Sequence, residues 1–247
     1  MYFYLYDSWL QDRKYQAEIA KIEARLNALG IHGRSEKITI LKNIHEAVRD
    51  GIKRGATTVV IVGNDKTITT LLPDLLATDV TIGVIPVGEP QTISTFLGLP
   101  SGAAACDSIS RRVVEHVDVG QANNQYFLLN AQLPIGASVQ CDGQFSVTSA
   151  NPDDRMVIAN LETSGRVSNP ADGRLELVVN SAQKSGWGPF STSTSAISVF
   201  PIREAKVTST GGQTQLLLDG QVTVPAPLTL TLAKKKLPII VGRERHF

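Results

Sequence analysis

The sequence predicts an α/β domain built on a layered, mostly parallel sheet, followed by an antiparallel β-sandwich. Three observations carry this reading. Thr58–Val62 and Val80–Ile85 are apolar, β-branched runs without polar alternation, as expected of strands covered on both faces. Helical patterns alternate with such runs through the first 105 residues. After about Ala105 the texture changes to short runs rich in Val, Leu, Thr and Phe, and no long segment keeps a helical period.

Taken in order, Tyr2–Tyr6 is a short aromatic-rich run that fits a first strand. Tyr15, Ile19, Ile22, Leu26 and Leu29 recur at three- and four-residue steps, and Gly30 marks the stop of that helix. Ile44, Ala47, Val48 and Ile52 repeat the pattern over Ile44–Arg54, ending at Gly55. Beyond residue 105, Tyr126–Leu129, Met156–Leu161, Leu175–Val179, Ile197–Ile202 and Thr214–Leu218 read as strands. Asn-Pro at 169–170, Asp-Gly at 172–173 and 219–220, and Gly-Gly at 211–212 separate them as turns. Leu237–Val241 is a last apolar strand. The expected organisation is an α/β domain over 1–105 completed by 233–247, with the β-sandwich over 106–232.

Composition narrows the partners. In 247 residues the formal net charge is +1, so there is no basic field to draw nucleic acid or an anionic surface. Cys106 and Cys141 are the only cysteines, and no CxxC or Cys/His spacing points to a metal centre. The opening MYFYLYDSW lacks the basic region of a signal peptide. No run approaches the ~20 apolar residues of a membrane span. The expectation is a cytoplasmic protein.

The chemistry concentrates in two loops. Gly63-Asn64-Asp65-Lys66-Thr67 follows the strand Thr58–Val62, and Pro86-Val87-Gly88-Glu89-Pro90-Gln91 follows Val80–Ile85. Neighbouring parallel strands bring such loops to one carboxyl edge, where α/β folds bind ligands. The pair resembles the diacylglycerol kinase catalytic-domain family, whose loops run Gly-Gly-Asp-Gly-Thr and Pro-x-Gly-Thr-x-Asn. NAD kinases share the first loop, but the Pro-x-Gly turn and a late Asp-Gly strand are closer to the lipid branch. Asp118–Asn130, with Asp-x-Gly and then Phe-Leu-x-Asn, is similar to the family's entry into its sandwich. Asn169–Val178 and Leu216–Pro227 resemble its later Asp-Gly segments.

The resemblance implies ATP-dependent phosphoryl transfer to a lipid hydroxyl, with ATP and Mg²⁺ as cofactors and a diacylglycerol-like lipid as acceptor. It assigns nucleotide contacts to Gly63, Asn64, Lys66, Thr67, Gly88, Glu89 and Gln91, with Asp65 in a catalytic place. Gln221 falls where the family's Asp-Gly-Glu carries its base, and Asp172 and Asp219 are candidate metal ligands. Both aspartates precede glycine, so each also reads as a plain turn former. A homodimer and peripheral attachment to a membrane are left open.

The departures bear directly on the reaction. Phosphoryl transfer relies on backbone N–H groups and cations holding the phosphates, and on a group that orients the acceptor hydroxyl. Lys66 stands where the family has glycine and is expected to strain a position needing φ > 0. Glu89 replaces threonine, and a carboxylate 4–5 Å from phosphate costs about 3–4 kcal/mol at an effective dielectric near 20. An amide at Gln221 cannot accept a proton at neutral pH, and losing a general base removes about 10²–10⁴ in rate. Asp7-Ser8 stands where the family often carries Asn-Pro-x-Ser-Gly. Three readings follow: an active lipid kinase, a nucleotide- or lipid-binding pseudokinase, and a non-catalytic interaction protein.

Overall fold

A computed structural model describes residues 1–39, 41–148, 154–163, 166–185, 192–209 and 215–247. The Gly211-Gly212 turn lies outside the described residues. The chain forms two compact units, Met1–Val117 with Lys235–Phe247, and Asp118–Lys234.

The first unit is an α/β layer. Strands β1 (Tyr2–Tyr6), β2 (Gly33–Lys37), β3 (Thr58–Gly63), β4 (Thr81–Pro86) and β5 (Val114–Val117) join the C-terminal strand Leu237–Ile240 in one sheet. Its order is β2-β1-β3-β4-C-terminal strand-β5. β1 to β4 run parallel, the C-terminal strand runs parallel to β4, and β5 is antiparallel to it. All six residues of β3 are buried, as a strand covered on both faces must be.

Helices α1 (Arg13–Ala28), α2 (Ile44–Lys53), α3 (Asp65–Leu76), α4 (Thr92–Phe96) and α5 (Ala105–Arg111) cover this sheet. Asp12 starts α1 by accepting from the Lys14 amide, and Asn43 starts α2 by accepting from that of His45. Ile19, Ile22 and Leu26 of α1 pack on Tyr4, Tyr6, Val60 and Val62. Cys106 and Ile109 of α5 join the same core. That packing, and the pairing of β5 with the C-terminal strand, keeps the unit continuous to Val117, beyond the change of texture at Ala105.

β2 has no counterpart in the sequence reading. Its residues, Gly-Arg-Ser-Glu-Lys, are almost all exposed, and it is an edge strand held by backbone pairing to β1 alone. Charged side chains on an exposed edge also discourage pairing with another chain.

Among the described residues, the second unit holds one two-stranded pair and two six-stranded antiparallel sheets. One contains Ala137–Cys141, Ala205–Ser209 and Leu228–Leu232, and the other Arg155–Ala159, Asn130–Gln132 and Gln215–Leu218. Val139, Cys141, Val207 and Leu230 of the first sheet share a core with Ile158, Leu177, Leu216 and Leu218 of the second, which makes the unit a sandwich. Among the described residues, no helix is long and apolar enough to cross a membrane.

Candidate functional site

The strand order reverses between β1 and β3, because the chain leaves β1 outward to β2 and returns on the other side of β1 to form β3. At such a switch point the loops beyond the carboxyl ends of neighbouring strands diverge and leave a crevice. Asp7 follows β1, Asn64 follows β3, and Val87 follows β4.

Asp7 accepts from the amide of Ser8 at 2.6 Å and from its hydroxyl at 3.2 Å through Oδ1. Its Oδ2 accepts from the Thr67 hydroxyl at 2.6 Å. Asn64 has an extended backbone and caps α3. Its side-chain oxygen accepts from the Thr67 amide, and Thr67 Oγ1 accepts from the Asn64 amide, both at 3.4 Å. The helix therefore begins directly after the strand, with only Asn64 between them. Lys66 lies within its first turn, exposed and outside the positive-φ region. The strain expected at Lys66 is absent, because an asparagine cap replaces the glycine-rich loop.

The second loop is tied to the first through backbone groups. Asn64 Nδ2 donates to the Glu89 carbonyl at 2.8 Å, and the Asp65 amide donates to the Pro90 carbonyl at 3.0 Å. The Asp65 side chain, 1% exposed, accepts from the amides of Thr92 at 2.7 Å and Ile93 at 3.2 Å. It thus joins the N-terminus of α4 to that of α3. Gln91 donates to the Gly88 carbonyl at 2.7 Å and to the Ser101 hydroxyl at 3.1 Å. Gly88 has φ of +70°, and a β-carbon there would stand 2.6 Å from the Trp9 ring. Trp9 in turn meets Tyr15 edge-on at 4.9 Å. The Glu89 side chain is exposed.

Beside Asp7 lies a cavity of about 400 Å³, lined by residues that include Tyr6, Leu10, Gln11, Lys37 and Thr39. Gln11 is anchored by its amide nitrogen to the Ile38 carbonyl. The Tyr6 hydroxyl is buried without a hydrogen-bond partner, and burial pushes its pKa up, with Glu23 adding to the shift.

The start of α3 offers a polyphosphate few free amides. The Asp65 and Thr67 amides at the start of α3 already have acceptors, and Asp7 and Glu89 bring carboxylates to the same edge. Exposed Lys66 is the cation that the sequence places in the first loop.

In the second unit, Asp219 and Gly220 both take positive φ in the turn joining Gln215–Leu218 to Val222–Pro225. The Asp219 carboxylate accepts from the amides of Leu128 and Leu129 at 2.8 Å each and of Asn130 at 3.1 Å. Asp118 accepts from the Gly173 amide at 2.9 Å, and Asn160 donates to the carbonyls of Asp118 and Leu128. The three segments singled out around residues 118–130, 169–178 and 216–227 are thus stitched to one another by their own polar residues. Asp172 accepts from the Arg174 amide at 2.9 Å, a local turn. Asp172 and Asp219, the candidate metal ligands, thus both accept from backbone amides. Among the described residues, no group of three His, Cys, Asp or Glu side chains could hold a metal ion. Gln221 presents a buried side-chain nitrogen with no hydrogen-bond partner.

The sequence singled out the two loops but missed the Thr92 and Ile93 amides, Ser101 and Trp9. Backbone amides leave no mark in a sequence. Trp9, two residues beyond Asp7, falls at the unspecified position of the related Asn-Pro-x-Ser-Gly pattern and carried no signal.

Comparison with known proteins follows the same lines. Residues 11–122 match the family model described as the diacylglycerol kinase catalytic domain. A stretch of 118 residues is 26% identical to the diacylglycerol kinase of Bacillus subtilis (strain 168), covering 46% of this chain and 39% of that protein. A stretch of 101 residues is 30% identical to an uncharacterized protein of Synechocystis sp., covering 40% of this chain and 23% of that one. The matched stretches span well under half the length of both relatives. The crystal structure of a diacylglycerol kinase from Bacillus anthracis str. Sterne superposes with a TM-score of 0.77 at 16% identity, covering 98% of this chain and 97% of that one.

Proposed function

We propose that this chain, whose residues 11–122 match the diacylglycerol kinase catalytic-domain model, is a pseudokinase of the lipid-kinase group. In this reading it binds a nucleotide weakly, takes a diacylglycerol-like lipid as its second ligand, and does not carry out efficient phosphoryl transfer. The cytoplasm, or the face of a membrane, is its proposed place.

One observation supports this more than any other: the Asp65 carboxylate accepts from the Thr92 and Ile93 amides while its own amide donates to Pro90. The residue in the catalytic place of the first loop serves as the bolt between the two loops. Asp7 and Glu89 follow the carboxyl ends of β1 and β4, and a carboxylate 4–5 Å from a bound phosphate would cost about 3–4 kcal/mol. The cavity beside Asp7 is the proposed place for the base and ribose. Gln221, at the base position, has no carboxylate to take a proton from a lipid hydroxyl.

Exposed Lys66 favours the second reading, an active kinase in which its ammonium holds phosphate. Calorimetry with Mg-ATP tests the two. The pseudokinase reading expects a Kd no tighter than about 0.1 mM, and Glu89→Thr should tighten it by about two to three decades. Low-micromolar affinity in the native chain would favour the active kinase.

A further inference from the structure

On the first unit, a cavity of about 530 Å³, none of whose lining residues is among those of the candidate site, opens between the end of α4, Ser108 and Arg111 of α5, and the segment after the C-terminal strand. Ser108, Arg111, Arg243, Glu244 and His246 supply much of its polar lining. The neighbouring arginines are occupied: Arg25 pairs with Asp107 at 2.5 Å and Arg245 with Glu115 at 3.0 Å. Among the described residues, Arg111 and Arg243 have no carboxylate partner. Two guanidinium charges therefore face one carboxylate, that of Glu244.

Both guanidiniums ride on anchored backbone. Arg111 Nη2 donates to the Ser108 hydroxyl at 3.1 Å, and Ser108 is 1% exposed. The segment carrying Arg243 is fixed at both sides. The Gly242 amide donates to the Leu97 carbonyl at 2.8 Å, and the His246 amide to the Phe96 carbonyl at 3.0 Å. The Phe96 and His246 rings pack edge-on at 5.8 Å. Between them the backbones are in such close contact that a β-carbon on Gly98 would stand 2.3 Å from the Arg245 nitrogen. Side chains on a wall fixed in this way lose less freedom on binding than those on a loose tail.

We propose that this cavity is a binding site for a phosphomonoester group, held between the guanidiniums of Arg111 and Arg243. Planar guanidinium forks match phosphate oxygens in pairs, and charge-assisted bonds of this kind are about twice as strong as neutral ones. The volume exceeds what one phosphate needs and leaves room for a small organic body. The inference rests on this cavity alone and is independent of the reading of the nucleotide loops. The group can come from a soluble phosphomonoester or from the headgroup of an anionic lipid.

The test is calorimetry of the whole chain with inorganic phosphate, beside flotation with phosphatidylcholine vesicles made with and without phosphatidate. The native chain should bind phosphate with a Kd of order millimolar, and R111Q combined with R243Q should weaken it at least about tenfold. The same double variant should melt with the native chain, since both side chains are exposed. The lysine pair, R111K with R243K, keeps the charge and should fall between the two. Flotation that needs phosphatidate and is lost in the glutamine variant assigns the group to a lipid. Phosphate binding without flotation assigns it to a soluble ligand. No binding at phosphate of order 20 mM, or equal affinity in native and glutamine variants, would overturn the proposal.

Discussion

Thr67 donates its hydroxyl hydrogen to Oδ2 of Asp7 over 2.6 Å, joining the residue after β1 to the first turn of the helix after β3. The bond spans the point where the strand order reverses, so it fixes the spacing of the crevice walls. A hydrogen bond to a charged acceptor contributes about 1.5–3 kcal/mol net. Thr67→Val, which keeps the shape and removes the donor, should lower the free energy of unfolding in urea by about 2 kcal/mol. Thr67→Ser should retain most of it. Equal stability of the valine variant and the native chain would deny the bond its structural role.

Asp65 allows a sharper test of the bolt between the loops. In Asp65→Ala the Thr92 and Ile93 amides lose their acceptor, at about 1–3 kcal/mol for each buried donor left unpaired. Hydrogen exchange should then quicken at those two amides before it does in β3. Unchanged protection at residues 92 and 93 would show that the carboxylate is dispensable to α4.

Asp219 is expected to be a stitch within the sandwich. Asp219→Ala should cost about 3 kcal/mol or more, because three amides from Leu128 to Asn130 lose one carboxylate. Chelation of divalent metal should leave the native melting temperature unchanged. A melting temperature that falls on chelation and recovers with Mg²⁺ would return Asp219 or Asp172 to the metal reading.

Alkaline pH should destabilise the first unit. Burial, helped by the charge of Asp107, pushes the Cys106 thiol from its ordinary 9.0 up to about 11. The folded chain keeps a proton that the unfolded chain releases, so this contribution is full below about pH 9 and is lost as pH rises to about 11. The buried Tyr4 and Tyr6 hydroxyls, whose pKa values burial also raises, act in the same direction. In thermal melts across that window, Cys106→Ala should show a shallower decline than the native chain. Parallel declines would remove Cys106 from the account.

How much of this was legible in the sequence depends on what each residue does. The buried strands Thr58–Gly63 and Thr81–Pro86, and helices α1 and α2, announce themselves by apolar pattern. β2 does not, since an exposed edge strand is held by backbone pairing and needs no apolar side chain. The two loops stand out because Gly, Pro and Asp cluster there. Their meaning changed with the structure: Asn64 is a helix cap, so Lys66 is an ordinary helical residue. Asp65 and Asp219 were visible as acidic residues beside turns. Their partners are backbone amides 27 and 28 residues away for Asp65 and 89 to 91 for Asp219, which no local pattern encodes.

In the proposed reading the chain keeps a lipid-kinase fold without efficient phosphoryl transfer. Transfer of labelled γ-phosphate from ATP to diacylglycerol in mixed micelles measures it directly. A pseudokinase is expected to show transfer at or near background for the native chain, and no rescue by Gln221→Glu alone, because the altered loop residues would remain. Asn64→Gly, Lys66→Gly, Glu89→Thr, Gln91→Asn and Gln221→Glu together are the change expected to gain turnover. Robust transfer by the native chain would contradict the account and place the base on a residue other than Gln221.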